Sequence, residues 1–328
     1  MRLPTLEIGA LSCGLPVIQG GMAVRISLAP LAAAVAGEGG IGLIAGSGMH
    51  PGELIEEIRK ARRLTDGIIG VNIMVAAREF SQLVHAALKE KVDLVVAGAG
   101  FSRDVFKWCA DAKTAFVPIV STARLAKIAE RFGASAVIVE GKEAGGHLGT
   151  DESVKRILPQ VVTAVKIPVI AAGGILTGGD IAETLKAGAS GVQMGTRFAA
   201  SEESSAAREW KEAYVAARPE DVVLIESPVG MTGRALLSPF TKKLLAGKAP
   251  PPNTLSKCVS CIRHCKKNYC IIDALVRAQE GDMQNGLVFC GERVGEIEDI
   301  RPVSEIVKTL VRQYGEKITL GAAEECLG

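Results

Sequence analysis

The sequence predicts an α/β protein whose centre is a closed (β/α)8 barrel. Short apolar runs rich in Val and Ile alternate with helical patterns through the first 200 of the 328 residues. Eight such runs are present, and Gly or Pro flanks most of them. Strands that are buried on both faces of a parallel sheet have this composition. Eight of them in alternation with helices are typical of a (β/α)8 (TIM) barrel.

The predicted strands are four to six residues long, in most cases, and recur along the first two-thirds of the chain. They are Pro16–Gln19, Ile41–Ala45, Ile69–Ile73, Leu94–Ala97, Phe116–Val120, Ala136–Val139, Pro168–Ala171 and Gly191–Met194. The predicted helices between them are Pro51–Arg63, Ser81–Lys89, Arg124–Phe132, Ser153–Val165 and Asp180–Ala187. Pro51 suits the first helical turn, Asp180 suits an N-cap, and Gly188 suits a helix end.

The main alternative fold is a doubly wound open sheet. That fold would be favoured by a Gly-rich dinucleotide fingerprint directly after the first strand. The segment in that place, Gln19-Gly20-Gly21-Met22, lacks the GxGxxG spacing. The barrel is therefore the favoured fold.

The chain divides into three predicted regions. Residues 1–200 form the barrel, residues 201–300 form a lid or insertion region that carries a cysteine cluster, and residues 301–328 form a C-terminal helix that packs back on the barrel. Within the last two regions we expect three helical stretches and one irregular stretch. The helical stretches are Ser201–Ala217, Ile271–Gln279 and Ser304–Arg312, and the irregular stretch is Asp221–Phe240.

The composition argues against several classes of protein. The 38 Lys and Arg residues nearly balance the 36 Asp and Glu residues, which gives a net charge of +2, and aromatic residues make up 4%. Neither nucleic acid nor an anionic membrane surface is therefore an expected partner. Gly and Pro break the longest uncharged run, and Glu7 precedes any apolar stretch, so we expect a cytoplasmic protein without a membrane span.

Residues that could bind a ligand follow the predicted strands, where the active sites of such barrels lie. Gly173 and Gly174 follow the seventh strand, and Gly195 and Thr196 follow the eighth. Loops after these two strands commonly bind phosphate, because glycine allows backbone N–H groups to approach an anion. A tight turn without a ligand is the alternative for the Gly-Gly pair, and the matching Gly195-Thr196 favours phosphate.

His147 follows two glycines after the sixth strand, on a segment expected to be a mobile loop. An imidazole at the mouth of the barrel suits general acid–base catalysis near neutral pH. The residues alone favour the alternative, a surface histidine or one that only hydrogen-bonds a ligand.

Five motifs in order resemble the nitronate monooxygenase family, formerly 2-nitropropane dioxygenase, which includes the flavin-dependent enoyl-acyl-carrier-protein reductases. The motifs are Pro16-Val17-Ile18-Gln19-Gly20-Gly21-Met22, Gly70-Val71-Asn72-Ile73-Met74, Glu140-Gly141 through Glu143-Ala144-Gly145-Gly146-His147, Ala171-Ala172-Gly173-Gly174-Ile175 and Gln193-Met194-Gly195-Thr196-Arg197-Phe198.

The resemblance implies an FMN-dependent oxidoreductase with non-covalent FMN. It places the FMN phosphate at Gly173, Gly174, Gly195 and Thr196, and it makes His147 the catalytic histidine. It also implies that residues of the first two motifs lie along the isoalloxazine ring and that residues of the last motif contact the cofactor. These residues are Gln19, Gly20, Gly21, Met22 and Asn72, with Gln193 and Met194.

Four of the eight cysteines form a cluster with the spacing C-x2-C-x3-C-x4-C, namely Cys258, Cys261, Cys265 and Cys270. No cysteine occurs in residues 14–108, which argues against a secreted disulfide scaffold. Structural zinc usually uses two knuckles separated by a longer insert, so the short, unequal steps favour a [4Fe–4S] cluster. Zinc, or thiols that are free or paired as disulfides, remain open, and Cys290 could replace one ligand.

The family that the motifs resemble implies two alternative reactions for this protein. The first is oxidation of an alkyl nitronate, with dioxygen as the final oxidant. The second is reduction of an activated C=C bond, such as that of an enoyl thioester, with NAD(P)H as co-substrate. A redox-sensing regulator and a flavin-free sugar-phosphate isomerase are the alternatives from other classes. We expect a small-molecule or acyl-thioester substrate, and a homodimer is compatible with the sequence.

Overall fold

The computed structural model describes residues 3–250, 252, 258 and 260–327, with side chains as far as Gly321. Eight parallel strands close into a barrel, as predicted, and their order around it follows the chain. These strands are β3 (Val17–Gln19), β4 (Ile41–Ala45), β5 (Ile68–Met74), β6 (Leu94–Gly98), β7 (Ala115–Val120), β8 (Val137–Glu140), β10 (Val169–Ala172) and β11 (Gly191–Met194). The barrel closes where β11 pairs with β3, with Met194 opposite Gln19.

A short hairpin that the sequence did not predict precedes the barrel. Strands β1 (Leu6–Ile8) and β2 (Leu11–Cys13) are antiparallel. Leu6 and Ile8 join one buried cluster with Ile18, Leu43 and other side chains of the barrel interior. The hairpin therefore packs against the barrel interior, which is filled by side chains.

A helix follows each of the eight barrel strands and packs against the outside of the barrel. They are α1 (Ala29–Gly37), α2 (Pro51–Leu64), α3 (Phe80–Lys89), α4 (Asp104–Asp111), α5 (Ala123–Arg131), α6 (Val154–Val162), α7 (Gly178–Lys186) and the short α8 (Thr196–Ala199). One predicted cap was wrong. Thr177, and not Asp180, is the N-cap of α7, and Asp180 is the third helical residue of a capping box. Asp180 is held there because its carboxylate accepts backbone N–H groups of Leu176 and Thr177.

Residues 201–300, called the cover below, differ from the predicted pattern. The helix predicted over Ser201–Ala217 is only α9 (Arg208–Val215). The stretch predicted as irregular contains the strands β12 (Val222–Glu226) and β13 (Thr232–Leu236), with α10 (Pro239–Leu245) starting within it. Helix α11 (Ile271–Gln279) has the predicted bounds. Strand β13 also pairs with β9 (Gly146–Leu148), which follows the sixth barrel strand, so the cover is joined to the barrel by a three-stranded sheet.

The last helix, α12 (Val303–Leu327), is longer than predicted and packs against α7 and α1. A Cβ atom on Gly178 would overlap the backbone of Leu310, so glycine permits this close approach of α7 and α12. In the described part of the chain, no helix is long and apolar enough to cross a membrane.

Candidate active site

A cavity of about 850 Å³ lies between the carboxyl ends of the barrel strands and the cover. Its wall includes residues from the loops after β3, β5, β8, β10 and β11, together with cover residues such as Leu287 and Phe289. Ligand pockets range over roughly 300–1,000 Å³, so this cavity is at the large end of that range. Most of the candidate residues are brought together here, although the loops that carry them are far apart in sequence.

Glycine shapes the wall of the cavity next to β3 and β5. The side-chain amide of Asn72 donates to the backbone oxygen of Gly21 over 3.2 Å. A Cβ atom on Gly21 would overlap the Asn72 side chain, and one on Gly20 would touch Gln193 at 3.4 Å. Both glycines, Met22 and Asn72 line the cavity. The wall here is mostly backbone, which suits the close approach of a flat ring.

Gly173 and Gly174 form a turn after β10 with φ values of +104° and +70°. These conformations favour glycine over other residues. A Cβ atom on Gly174 would lie 3.1 Å from Cβ of Glu143, so a larger side chain would be crowded as well as strained. Both glycines line the cavity together with Gly195 and Thr196.

The cover is anchored to these two glycine-containing loops. The backbone N–H of Gly291 donates to Oγ1 of Thr196 over 3.1 Å. The guanidinium of Arg293 donates to the backbone oxygen of Gly174 over 2.6 Å and pairs with Asp180 at 2.9 Å. Arg293 therefore joins the cover, the Gly174 turn and the start of α7.

Gln193 carries an unpartnered polar atom at the cavity. Its side chain is 8% exposed, and its Oε1 atom makes no hydrogen bond among the described residues. A buried acceptor without a partner is costly, so this atom is suited to receive a donor from a bound molecule.

Gln19 and Met194, two other predicted cofactor contacts, lie outside the cavity wall. Gln19 is fully buried; its amide donates to the backbone oxygen of Gly20, and its Oε1 accepts the N–H of Leu43 over 3.2 Å. Met194 is also buried, within the main hydrophobic core. Both side chains support the strands from which the cavity residues extend.

His147 lines the cavity, but it belongs to strand β9 and not to a mobile loop. Pairing with Gly233 of β13 fixes its backbone. Its Nε2 lies 2.7 Å from Oγ of Ser227, and its ring meets that of Phe289 edge-on at 5.2 Å. Burial lowers the pKa of His147 to about 4, so the imidazole is neutral at pH 7.

Two residues of this site, Glu140 and Ser227, were assigned no role from the sequence. Glu140, at the end of β8, lines the cavity, and its carboxylate makes no hydrogen bond among the described residues. Burial raises the pKa of Glu140 to about 7. Its position directly after a predicted strand was a usable signal. No sequence pattern indicated Ser227, because its contact with His147 depends on the pairing of cover strand β13 with β9.

The cysteine segment packs on the loop after β5. The backbone N–H of Arg78 donates to the oxygen of Cys261 over 2.9 Å, and Cys261 lines the cavity. The pKa of Cys261 is raised by burial first, and then by the nearby thiols of Cys270, Cys265 and Cys258. Even so, within the described ranges no three His, Cys, Asp or Glu residues are arranged to hold a metal ion. The structure therefore gives no support to the predicted iron–sulfur cluster.

The sequence matches the profile of the nitronate monooxygenase family over residues 5–83 and 75–313. The chain therefore belongs to this family, and as a member of it the protein is an oxidoreductase.

Three known proteins show how the chain relates to others. FabK from Thermotoga maritima is 34% identical, with a TM-score of 0.85 over 95% of this chain and 96% of FabK. A nitroalkane oxidase from Streptomyces ansochromogenes is 27% identical, with a TM-score of 0.80 over 94% of this chain and 98% of the oxidase. A (3aS,4S,5R,7aS)-5-hydroxy-7a-methyl-1-oxo-octahydro-1H-indene-4-carboxyl-CoA dehydrogenase from Rhodococcus jostii is 34% identical over 70% of this chain. That match spans 64% of the dehydrogenase.

Proposed function

We propose that the cavity binds FMN and that the protein uses it to oxidise alkyl nitronates or a related small organic substrate. The observation that carries the proposal is the combination of a glycine-rich wall, the unpartnered Oε1 of Gln193 and a neutral His147 around one cavity. When bound, FMN would supply the two-electron redox chemistry. Family membership supports this cofactor.

The residues present fit such a cofactor. The turn at Gly173 and Gly174, with Gly195 and Thr196, would hold the phosphate, because the three glycines leave backbone groups at the cavity uncovered by a side chain. Gly20, Gly21, Met22 and Asn72 would lie along the ring system, where a Cβ atom on Gly21 is excluded. Gln193 would accept a hydrogen bond from the ring or its side chain.

A second candidate reaction is reduction of an activated C=C bond in an acyl thioester, with NAD(P)H as co-substrate. The sequence identities to known proteins support this reaction as a second candidate. FabK, an enoyl-acyl-carrier-protein reductase, and the indene-carboxyl-CoA dehydrogenase are each 34% identical, whereas the nitroalkane oxidase is 27% identical. In this reaction His147 would contact the thioester end of the substrate.

Three measurements on the purified protein test these proposals. Heat-released flavin is identified and counted, oxygen uptake is measured with an alkyl nitronate, and NAD(P)H consumption is measured with an enoyl thioester under anaerobic conditions. We expect one FMN per chain and nitronate-dependent oxygen uptake. A protein without flavin contradicts the cofactor proposal, and thioester-dependent NAD(P)H oxidation alone replaces the first reaction by the second.

An iron–sulfur cluster at Cys258, Cys261, Cys265 and Cys270 is a separate proposal. Its support is the spacing of the cysteines and the electrostatic effect of their thiols on Cys261. Because their described arrangement does not form a metal site, no reaction step is assigned to it.

Elemental analysis of protein purified without oxygen tests the cluster. About four irons per chain supports it, about one zinc indicates a structural zinc site, and no metal overturns the proposal. Cys265→Ser removes one proposed ligand and is expected to lose the metal. Cys109→Ala, which removes a buried thiol of α4, is the matched control and is expected to keep it.

A cytoplasmic location and a homodimer are also proposals. Size-exclusion chromatography with light scattering distinguishes a dimer from a monomer, and fractionation of cells tests the location.

A further inference from the structure

We propose that Ser227 holds His147 in the tautomer that carries its proton on Nδ1, so that this histidine presents a hydrogen-bond donor, and not a base, to the substrate. The inference deepens the proposed function and rests on it only for the identity of the substrate. Ser227 acts through His147 and is therefore a positioning residue.

The geometry around Ser227 is fixed by the cover. Ser227 follows β12, and it is fully buried. Its backbone N–H donates to Met231 over 3.0 Å, and its backbone oxygen accepts from Gly230 over 2.9 Å. This tight turn holds the Ser227 hydroxyl 2.7 Å from Nε2 of His147.

Counting hydrogens assigns the direction of this bond. Oγ of Ser227 already accepts the backbone N–H of Val229 over 3.4 Å. The hydroxyl has one proton to donate, and Nε2 of His147 is the acceptor it contacts among the described residues. If Nε2 carried the proton instead, the buried Ser227 hydroxyl would lose this acceptor, at a cost of about 1–3 kcal/mol.

Tyr269 supports the same direction. Its hydroxyl is buried and makes no hydrogen bond among the described residues. Burial raises the pKa of Tyr269, and the nearby hydroxyl of Ser227 opposes that effect, so the two hydroxyls are close. If Tyr269 donates to Oγ of Ser227 and Ser227 donates to His147, both hydroxyl protons have an acceptor, whereas the reverse direction leaves the Tyr269 proton without one.

The consequence concerns the ring nitrogen that is left for a ligand. With Nε2 accepting from Ser227, Nδ1 carries the proton of the neutral ring. Nδ1 makes no hydrogen bond among the described residues, and it is not completely buried. Because His147 lines the cavity, Nδ1 is available to a ligand there. A neutral imidazole that donates from this position can stabilise negative charge on an oxygen, either of a nitronate or of a thioester carbonyl.

The first test reads the tautomer directly. Protein loaded with FMN and labelled with ¹⁵N-histidine is examined by NMR, and His147→Gln assigns the His147 signals by their loss. We expect the Nδ1–H tautomer in the unaltered protein. An Nε2–H tautomer overturns the proposal, whatever the substrate is.

The second test uses variants. Ser227→Ala is expected to release the tautomer and to lower kcat about tenfold, the loss of one hydrogen bond, with FMN content unchanged. Ser227→Thr keeps the hydroxyl and is expected to keep the tautomer. Ser204→Ala is the control, because Ser204 is also a buried serine of the cover but is not part of the cavity wall. An unchanged tautomer in a folded Ser227→Ala protein contradicts the proposal.

The two tests separate this inference from the proposed function. If the Nδ1–H tautomer is found but neither nitronate nor enoyl thioester is consumed, the proposed function fails and the role of Ser227 in fixing the ring stands.

Discussion

The barrel and the cover differ in how their strands are held. Barrel strand β4 buries all five of its residues, whereas cover strand β12 buries only Ile225 and leaves Leu224 52% exposed. Seven of the eight barrel pairings join consecutive barrel strands, and the eighth, between β11 and β3, closes the barrel. Strand β13 pairs instead with β9, more than 80 residues earlier in the chain. A repeating local pattern therefore specifies the barrel, and long-range pairing specifies the cover.

The residues of the candidate site divide along the same line. The barrel contributes the glycines and Gln193, which form a binding surface. His147 lies where the two regions meet, and Ser227 comes from the cover. Four predictions follow this division, from an all-or-none loss of cofactor to a small effect of pH.

The largest effect, loss of the cofactor, is expected at the turn that Gly173 and Gly174 form after β10. Gly174→Val should abolish FMN retention and leave the barrel folded, because the new side chain is strained at φ +70° and crowded against Glu143. Flavin content and circular dichroism check this.

Gly39→Val is the matched control for Gly174→Val. It carries similar strain at φ +84°, but a Cβ atom there meets no atom within 4 Å, and Gly39 is not part of the cavity wall. It should keep FMN. Stoichiometric FMN in folded Gly174→Val protein would remove Gly174 from the cofactor site.

The second prediction concerns His147, which lies where the barrel and the cover meet. His147→Ala should keep FMN and lower turnover by about 10²–10⁴, the usual size of the contribution of such a residue to catalysis. Steady-state kinetics on FMN-loaded protein measure this. His85→Ala, an exposed histidine on α3, is the control. An unchanged rate with every substrate that turns over would make His147 a bystander.

These expectations show how far the sequence could predict the site. Gly173, Gly174, Gly195 and Thr196 were predicted to bind a ligand because they follow apolar strands, and the fold brings these positions together in the cavity wall. Gln19 and Met194 lie in the same motifs but outside the cavity wall. Met194 packs in the core cluster shared with the surrounding helices, on the opposite side of β11 from Gln193, because successive residues of a strand face opposite sides. Motif membership alone could not separate the two faces.

The cover was harder to predict for a different reason. Residues 221–240 contain a turn and two glycines. Strand β12 buries only one of its five residues, and the buried residues of β13 include Gly233 and Arg234, so the apolar alternation that marks a strand is weak. Their structure depends on β9, and the contact of Ser227 with His147 follows from that pairing. Helix α11, by contrast, buries a regular apolar face and was predicted with its bounds.

The third prediction compares stability in the two regions. Leu43→Ala, within the barrel interior, should lower the free energy of unfolding by about 2–5 kcal/mol and speed hydrogen exchange throughout the barrel. Leu236→Ala, in a buried cluster of the cover, should speed exchange mainly in residues 201–300. Exposed Leu224→Ala should change neither by more than about 0.5 kcal/mol. Equal acceleration of exchange in both regions by Leu236→Ala would show that barrel and cover unfold as one unit.

The smallest effect is the dependence of stability on pH, because two groups at the cavity oppose each other. His147, with a pKa of about 4 when folded and 6.5 as its ordinary value, binds fewer protons folded than unfolded between those values, so it makes stability rise with pH from about 4 to 6.5. Glu140, with a pKa raised from 4.5 to about 7, binds more protons when folded and makes stability fall as pH rises through that window. The unaltered protein should therefore show little net slope between pH 4.5 and 6.5. Denaturant unfolding at several pH values should reveal a rising slope in Glu140→Gln and a falling slope in His147→Gln, with the double variant as control. If both single variants kept the slope of the unaltered protein, neither group would be buried as the structure has it.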